Sequence, residues 1–197
     1  LLTAQALNCG VTAQRLGVAK DTYASVKEKI TKALTYDVIV TSGGVSVGEY
    51  DFVKAVLKDI GAEQHFWGVK QKPGKPFAFW TYNRKLIFGL PGNPIASLVC
   101  FEEYVRPALL KMSGYAEVLR PVVKARLTQP FKKKPGRQHF VGVHLTKKDE
   151  IYYATVPGRQ GSGILTSFSG ANGIAVIPKD VSELAAGETV EVQVISD

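Results

Sequence analysis

The stretch DVIVTSGGVSVGEYDF, residues 37–52, decides the architecture of the first half of the chain. It opens with a continuous β-branched apolar run, which is typical of a strand buried in a parallel sheet. The chain leaves that strand through Gly43 and Gly44, and reaches Glu49 and Asp51 at the start of a helical apolar period. A strand, a glycine loop and a helix in this order predict an α/β unit.

Further helices and strands extend this alternation on both sides of the stretch. Apolar spacing and closing glycines predict helices at 1–9, 22–34, 49–61 and 95–114. A short strand and turn are predicted within 11–18, and Pro107 predicts a kink or break near Val105 in the last helix. We therefore expect an α/β domain at residues 1–116, with a mostly parallel sheet flanked by helices.

The pattern changes after Gly114, where short segments are separated by Pro, Gly and charged residues. The β-rich segments are VVKARLTQPF, QHFVGVHLT, IYYATVP, GIAVIP and ETVEVQVIS. Their alternation and spacing predict a small all-β domain at residues 117–197, which we expect to be a barrel, with a sandwich as the alternative.

Composition excludes several classes of protein. Of the 197 residues, 45% are hydrophobic and 21% are charged, as in globular domains rather than disordered chains. No apolar run reaches the length of a membrane span, and the N-terminus lacks the regions of a signal peptide. The two isolated cysteines favour a reducing compartment, and we expect a cytoplasmic protein. Cys9 and Cys100 are interpreted as buried thiols, and the histidines do not cluster with cysteines or paired acids, which argues against zinc.

The net charge of +8 is concentrated in one segment. Residues 118–150 contain nine Lys/Arg and two Asp/Glu, around the motif FKKKPGRQHF. Because this segment lacks a helix-turn-helix, zinc-finger or RNP-type pattern, we expect no nucleic-acid partner. An exposed lysine-rich hairpin and a site for a small anion both remain open.

The glycine loop admits a structural and a functional interpretation. Ser46 and Glu49 match a capping box, and the charge of Asp51 would favour the start of the helix. Gly43 and Gly44 would leave backbone N–H groups accessible at the carboxyl end of a strand, where α/β sheets bind ligands. The residues alone leave both interpretations open.

Two other turns carry residues suited to a ligand site. Asn93 is placed as the N-cap, and Pro94 as the first-turn proline, of the helix that begins in LPGNPIAS. Lys70, Lys72 and Lys75 surround the Pro-Gly turn of KQKPGKP, where they would either bind phosphate or remain solvated.

An acid and a lysine before the second helix form the last candidate. Asp21 is either the cap of that helix or, together with Asp51, a ligand of a magnesium ion. Lys20 beside it is interpreted as a surface residue.

Several motifs occur in a family-specific order: TSGGVSVGEYDF, KPGKPFAF, IFGLPGNPIAS, VRPALLKMSG and GRQGSGILTSFSGANGIAVIP. In this order they resemble the molybdopterin molybdenumtransferase family, whose eukaryotic relatives include the gephyrin E domain. The resemblance covers essentially the whole chain and corresponds to the C-terminal half of the family protein. It implies a molybdopterin-binding α/β domain followed by a small β-barrel. It also implies a magnesium-dependent insertion of molybdate into adenylylated molybdopterin (molybdopterin-AMP), with release of AMP.

The resemblance also implies roles for individual residues. Asp21 and Asp51 correspond to the family's essential acids and would hold Mg²⁺, and Pro91 and Pro94 correspond to its active-site proline pair. The residues implied at the molybdopterin-AMP and molybdate sites are Gly43, Gly44, Ser46, Gly48, Lys72, Lys75, Lys20, Arg137 and Ser162.

Partners and alternatives follow from the same resemblance. It implies a homodimer, in which domains outside this chain complete the active site of the partner subunit, and contact with a molybdopterin adenylyltransferase. Two positions depart from the family pattern, because Thr22 stands where a second acid is often found and Gly68 where a basic residue often is. An adenylyltransferase-like enzyme and a non-catalytic scaffold of gephyrin type remain the alternatives.

Overall fold

The structure is a computed structural model that describes residues 1–44, 52–157, 168 and 170–195. The chain divides into two compact units. The first comprises Leu1–Val69 and Gly74–Val118, and the second comprises Lys70–Pro73 and Leu119–Asp197.

The described residues form helices in the first unit and strands in both units. The helices are α1 (Leu2–Leu7), α2 (Tyr23–Ala33), α3 (Phe52–Asp59), α4 (Pro94–Cys100) and α5 (Arg106–Met112). The strands of the first unit are β1 (Val38–Ser42), β2 (Glu63–Trp67), β4 (Ala78–Tyr82) and β5 (Lys85–Leu90). Those of the second are β3 (Gln71–Lys72), β6 (Val122–Leu127), β7 (Phe131–Lys132), β8 (Gln138–Lys148), β9 (Ile151–Thr155), β10 (Gly173–Ile177), β11 (Glu183–Leu184) and β12 (Thr189–Val194).

The sheet of the first unit is mixed, so the expectation of a mostly parallel sheet is not confirmed. Its strand order is β1-β5-β4-β2, in which β1 and β5 are parallel and the other two pairs are antiparallel. The difference arises at the two-residue turn Asn83–Arg84, whose φ angles of 46° and 66° fold β5 directly back on β4. Turns with two positive φ angles match the twist of a hairpin.

A hydrophobic core lies on each face of this sheet. Trp80 and Ile87 pack in the core that contains residues of α2 and α3. Phe88 and Leu90 pack in the second core, with residues of α4 and α5. Because Ile87 and Phe88 are successive residues of β5 and both are buried, this strand is covered on its two faces, as its continuous apolar run predicts.

The helix that contains Pro107 continues through a wide turn instead of breaking. The segment Phe101–Val105 is π-helical, and α5 follows it directly, with the proline in its first turn. A proline lacks the N–H of the regular helical ladder and crowds the preceding turn. A π-helical turn shifts the hydrogen-bond pattern by one residue, which accommodates that defect. The predicted disturbance near Val105 is therefore a π turn.

The strand predicted at 11–18 is wrong, because residues 11–20 have no regular secondary structure. Val11 packs against one core of the first unit and Leu16 against the other, whereas Val18 is 82% exposed. No described strand pairs with this segment. A β-prone sequence without a pairing partner gains no ladder hydrogen bonds.

The second unit contains a closed five-stranded barrel, which confirms the predicted barrel. The pairs are β10–β12, β12–β6, β6–β9, β9–β8 and β8–β10, so each of the five strands has two neighbours. Ala125, Val143, Ala154 and Val192 are completely buried in its core. Small side chains fit the narrow interior of a barrel with few strands.

The short strand β3 brings residues from the first half of the chain to this barrel. It pairs in parallel with β8, so that Gln71 is opposite Gln138 and Lys72 is opposite His139. The Gln138 amide also donates to the Lys70 carbonyl, at 3.0 Å. This pairing gives the segment 70–73 its place in the second unit.

Two predictions about the whole chain can be compared directly with the structure. Cys9 and Cys100 are both buried and are not joined in a disulfide, as predicted. Burial, with a smaller effect of Glu103, raises the pKa of the Cys100 thiol to about 12, which disfavours the nucleophilic thiolate form. None of the described helices is long and apolar enough to cross a membrane.

Candidate functional site

The carboxyl ends of β1 and β5 form a rim at one edge of the first unit's sheet. Ser42 is opposite Leu90 in the parallel register, and the Gly43 amide donates to the Leu90 carbonyl at 2.9 Å. We call residues 42–44 and 91–94 the strand-end rim. The carboxyl ends of neighbouring parallel strands are where α/β sheets bind ligands.

The glycines of the rim allow two close approaches of the chain. Gly43 and Gly44 have φ angles of 85° and 70°, which side chains rarely adopt. A Cβ on Gly92 would lie 3.6 Å from the Gly43 Cα, and a Cβ on Gly44 would lie 2.9 Å from Val53 Cγ2. The backbone packing of the rim thus accounts for these glycines. The Gly43 amide is committed to Leu90, so it is not one of the open donors that the sequence suggested.

The turn after β5 is held at the carbonyl oxygen of Pro91. Ser42 Oγ donates to this oxygen at 3.3 Å, and Ser97 Oγ donates to it as well. Ser97 is only 2% exposed, so its hydroxyl is held inside the first unit. Sequence analysis assigned no role to either serine, although each lies inside a motif that it selected.

The start of α4 is capped as predicted. The Asn93 side chain accepts a hydrogen bond from the Ala96 amide at 3.1 Å, and Pro94 is the first residue of the helix. Pro94 is exposed, whereas Pro91 is buried. The two predicted prolines therefore flank a turn with a defined shape, and Pro94 is the one that is exposed to solvent.

Asp21 does not cap the helix that follows it. Thr22 is the N-cap of α2 and accepts from the Ser25 amide at 3.3 Å, which leaves Asp21 exposed outside the helix. The hydroxyl of Tyr23 donates to Asp59 at 2.6 Å, so the start of α2 lies beside the end of α3. The residue of α3 that contacts the rim is Val53, near the other end of that helix. Within the described residues, no contact brings Asp21 to the rim.

The donor chemistry of the two acids suits magnesium, which binds carboxylate oxygens and keeps several waters. The Asp21 carboxylate is exposed and makes no hydrogen bond or ion pair with other described residues. No group of three or more metal-binding side chains occurs in the part of the chain that the structure describes. A site with one or two carboxylates does not require such a group.

Four residues of the second unit bring together cationic and imidazole groups, which we call the barrel cation cluster: Lys72, Lys133, Arg137 and His139. Lys72 and His139 are directly paired between β3 and β8, and paired residues project to the same face of a sheet. Arg137 lies in the bend directly before β8, and its charge acts on His139. Lys133 Nζ donates to the carbonyls of Arg137 and Lys179, at 3.0 and 3.2 Å.

The electrostatics of the barrel cation cluster are unbalanced. His139 is 9% exposed, and burial, followed by the charges of Lys133, Lys72 and Arg137, lowers its pKa to about 4. Burial also lowers the pKa of Lys133, against the opposing effect of Asp180. These groups share a region of positive potential that an anion would relieve. Lys132 differs from them, because it forms an ion pair with Glu183 at 2.8 Å.

The turn KQKPGKP distributes its lysines between the two units. Lys72 belongs to the second unit and is half-buried, whereas Lys75 belongs to the first and is exposed. Lys75 shapes its own turn, since its carbonyl accepts from the amides of Val69 and Phe77, at 3.0 and 2.9 Å. Lys20 and Lys70 are both exposed.

Several predicted site residues lie outside the described residues, and sequence analysis did not select His139. The former are Ser46, Gly48, Asp51 and Ser162. His139 was passed over because histidines were compared with cysteines and acids, not with neighbouring cations. The signal available was the closeness of His139 to Lys133 and Arg137 within the basic motif FKKKPGRQHF.

Comparisons with known proteins give consistent results for both parts of the chain. The family model described as "Probable molybdopterin binding domain" matches residues 1–111, and the one described as "MoeA C-terminal region (domain IV)" matches residues 124–195. A molybdopterin molybdenumtransferase from Haemophilus influenzae is 36% identical, covering 98% of this chain and 48% of that protein. One from Nostoc sp. is 35% identical, covering 88% and 41%.

A solved structure shows the same relationship. The crystal structure of the molybdopterin biosynthesis MoeA protein from Pyrococcus horikosii is 35% identical, with a TM-score of 0.75. The match covers 92% of this chain and 43% of that one. The chain therefore spans about half the length of the relatives that it matches.

Proposed function

The chain belongs to the MoeA family, and from this premise we propose that it is the C-terminal part of an enzyme of molybdenum cofactor biosynthesis. The reaction is the insertion of molybdate into adenylylated molybdopterin, with release of AMP. Two of the relatives carry the name molybdopterin molybdenumtransferase. The match of residues 124–195 to the MoeA C-terminal region favours this function over the adenylyltransferase alternative, which does not need the barrel.

The observation that carries the proposal is the barrel cation cluster. Molybdate is a tetrahedral dianion, and a guanidinium and ammonium groups are the donors that bind such oxyanions. Arg137 is exposed and Lys72 half-buried, so both are available to an anion at the surface of the second unit. We assign them as the first contacts of molybdate, with Lys133 adding positive potential behind them.

The strand-end rim is proposed to receive the molybdopterin part of the substrate. Pro91 and Pro94 would define the shape of the turn, and two hydroxyl donors hold the Pro91 carbonyl in place. Gly43 and Gly44 would let the substrate approach the backbone. The other residues proposed from the family resemblance are Ser46, Gly48, Lys75, Lys20 and Ser162.

Mg²⁺ would be held by Asp21 and Asp51, and when bound it would offset negative charge on the phosphate oxygens of the adenylylated substrate. This assignment rests on carboxylate chemistry and on the exposed carboxylate of Asp21. The same family resemblance leads us to propose a cytoplasmic homodimer that contacts a molybdopterin adenylyltransferase.

Titration calorimetry with sodium molybdate tests the proposed oxyanion site. We expect Lys72→Gln and Arg137→Gln each to weaken molybdate binding about tenfold, because each removes a charge-assisted contact. Lys148→Gln is the matched control, since Lys148 is exposed at the other end of β8, and it should bind like the wild-type chain. Equal affinity of all four proteins, or no binding by the wild type, would reject the assignment.

A further inference from the structure

His139 combines burial with surroundings that oppose its protonation. The imidazole is 9% exposed, and in the part of the chain that the structure describes it forms no hydrogen bond. Its ring nitrogens are not among the buried polar atoms that lack a partner, so they reach solvent and are accessible to a ligand. An imidazole that lies among cations, and whose ring nitrogens make no hydrogen bond, is therefore suited to bind an anionic ligand with several hydrogen-bond acceptors.

The groups that face His139 come from each neighbouring element. Lys72 is opposite it on β3, and Arg137 lies in the bend directly before β8. On the other side of β8, His139 is opposite Ile177 of β10, and that strand continues to Lys179 and Asp180. Asp180 opposes the lowering of the pKa of Lys133, and Lys133 is one of the cations that lower the pKa of His139.

We propose that His139 is a further member of the oxyanion site, and that it takes up a proton when a dianion binds to the barrel cation cluster. This inference rests on the proposed function, because it assigns a role within the same site. The proton would come from solvent. His139 is then a positioning residue, and its protonation increases the affinity of the site for the dianion.

The sign of the effect follows from linkage. In the absence of an anion, His139 is neutral at pH values above about 4. A dianion near Lys72 and Arg137 cancels the potential that keeps the ring neutral, which raises the pKa of His139. Between the two pKa values, binding takes up a proton, so affinity rises as pH falls through this interval.

Proton NMR measures this change directly. The titration of the His139 ring would be followed without and with sodium sulfate, which remains a dianion across the experiment. The ring signals are assigned from His139→Gln, His144→Gln and His65→Gln. We expect sulfate to raise the pKa of His139 by about one unit, a tenfold change in the protonation equilibrium. His144 lies exposed on the same strand and should not move.

Calorimetry at two pH values gives an independent readout. The affinity of the wild-type chain for sulfate should rise about twofold from about pH 8 to about pH 5, because a pKa that moves from about 4 to about 5 changes the protonation of the ring only in this low range. Proton uptake at about pH 5 should be seen as a dependence on the buffer's ionisation enthalpy. His139→Gln keeps a hydrogen-bonding side chain and should lose this pH dependence, whereas His144→Gln should keep it. A pH dependence unchanged by His139→Gln would overturn the inference.

The outcomes separate this inference from the proposed function. If Lys72→Gln and Arg137→Gln weaken molybdate binding while His139→Gln binds sulfate with wild-type pH dependence, the oxyanion site stands and the role of His139 is rejected. If neither cation variant weakens binding, the oxyanion site itself is rejected, and the proton-coupling proposal is rejected with it.

Discussion

The strand-end rim and the barrel cation cluster are both candidate binding regions, but they are built differently. In the rim, the Gly43 amide, the Pro91 carbonyl and the Asn93 side chain all have partners within the first unit. In the barrel cation cluster, positive charges surround the buried imidazole of His139. These three groups of the rim are thus satisfied within the first unit, whereas the cluster is electrostatically incomplete.

This difference shows where stability and binding conflict. A rim whose polar groups are satisfied stabilises the fold and presents one shape to a ligand. Like charges around a neutral imidazole destabilise the fold until an anion relieves them, a pattern that is typical of functional sites. We therefore expect the rim to respond most to changes of shape, and the barrel cation cluster to changes of charge.

The largest effect is expected from a single methyl group in the rim. Gly44→Ala should lower the free energy of unfolding of the first unit by about 3 kcal/mol, from a strained φ angle and from contact with Val53. The added Cβ would lie 2.9 Å from Val53 Cγ2, in a packed core. Urea denaturation followed by tryptophan fluorescence measures this loss, because Trp67 and Trp80 both lie in the first unit.

Gly43→Ala is the matched control for shape. Its φ angle of 85° is as unfavourable, but its Cβ would lie 3.9 Å from the nearest atom, the Gly92 Cα, which is an ordinary contact. We expect a loss of about 1 kcal/mol from backbone strain alone. Equal losses for the two variants would show that φ, and not packing against α3, makes glycine necessary at residue 44.

The success of sequence prediction in each region depends on how far apart in sequence its contacting residues lie. Each half of the rim is formed by residues that are close together in sequence. The strand, the glycines and the Asn93 cap were therefore all predicted from two short motifs. The mixed sheet was not, because Asn83 and Arg84 form a hairpin turn without the glycine that usually marks one. The two serines at Pro91 were missed because a hydrogen bond from a hydroxyl to a carbonyl has no recognisable sequence pattern.

The barrel cation cluster depends on contacts between distant parts of the chain. The barrel itself was predicted from alternating segments, but the pairing of Lys72 with His139 joins two strands far apart in sequence. This register cannot be predicted from periodicity, because β3 is only two residues long. The basic segment around FKKKPGRQHF was identified from the sequence, whereas the pairing that brings Lys72 to His139 was found only in the structure.

The second prediction tests the charge side of the comparison through pH. A histidine whose pKa is lowered in the folded protein stabilises the unfolded chain as it protonates, so stability falls as pH drops from about 6.5 towards about 4. We expect the wild-type chain to lose about 2 kcal/mol more than His139→Gln over this range, allowing for solvent screening. Urea denaturation followed by circular dichroism measures both proteins.

A matched variant isolates the contribution of the barrel cation cluster. His144→Gln removes an exposed histidine from the same strand and should retain the wild-type pH dependence. If His139→Gln and the wild type lose stability in parallel, the imidazole is protonated in the folded protein, and the barrel cation cluster is not the electrostatically incomplete region described above.

The smallest effects are expected from the two hydroxyls at the rim. Ser97→Ala should cost about 1 kcal/mol, because it removes a buried hydrogen bond to the Pro91 carbonyl. Ser42→Ala should cost about half as much, because its bond to the same oxygen is 3.3 Å long and its residue is exposed. Tryptophan fluorescence in urea measures both variants.

The double variant decides whether the rim is held by both serines together. Each single variant leaves the Pro91 carbonyl with one donor, whereas Ser42→Ala with Ser97→Ala leaves a buried residue's oxygen without either. Because an unsatisfied buried acceptor costs more than a lost hydrogen bond, the double loss should exceed the sum of the single losses by about 1 kcal/mol. A strictly additive loss would mean that water reaches this oxygen. The rim would then owe its shape to its prolines and glycines alone, and its contrast with the barrel cation cluster would rest on backbone geometry rather than on satisfied polar groups.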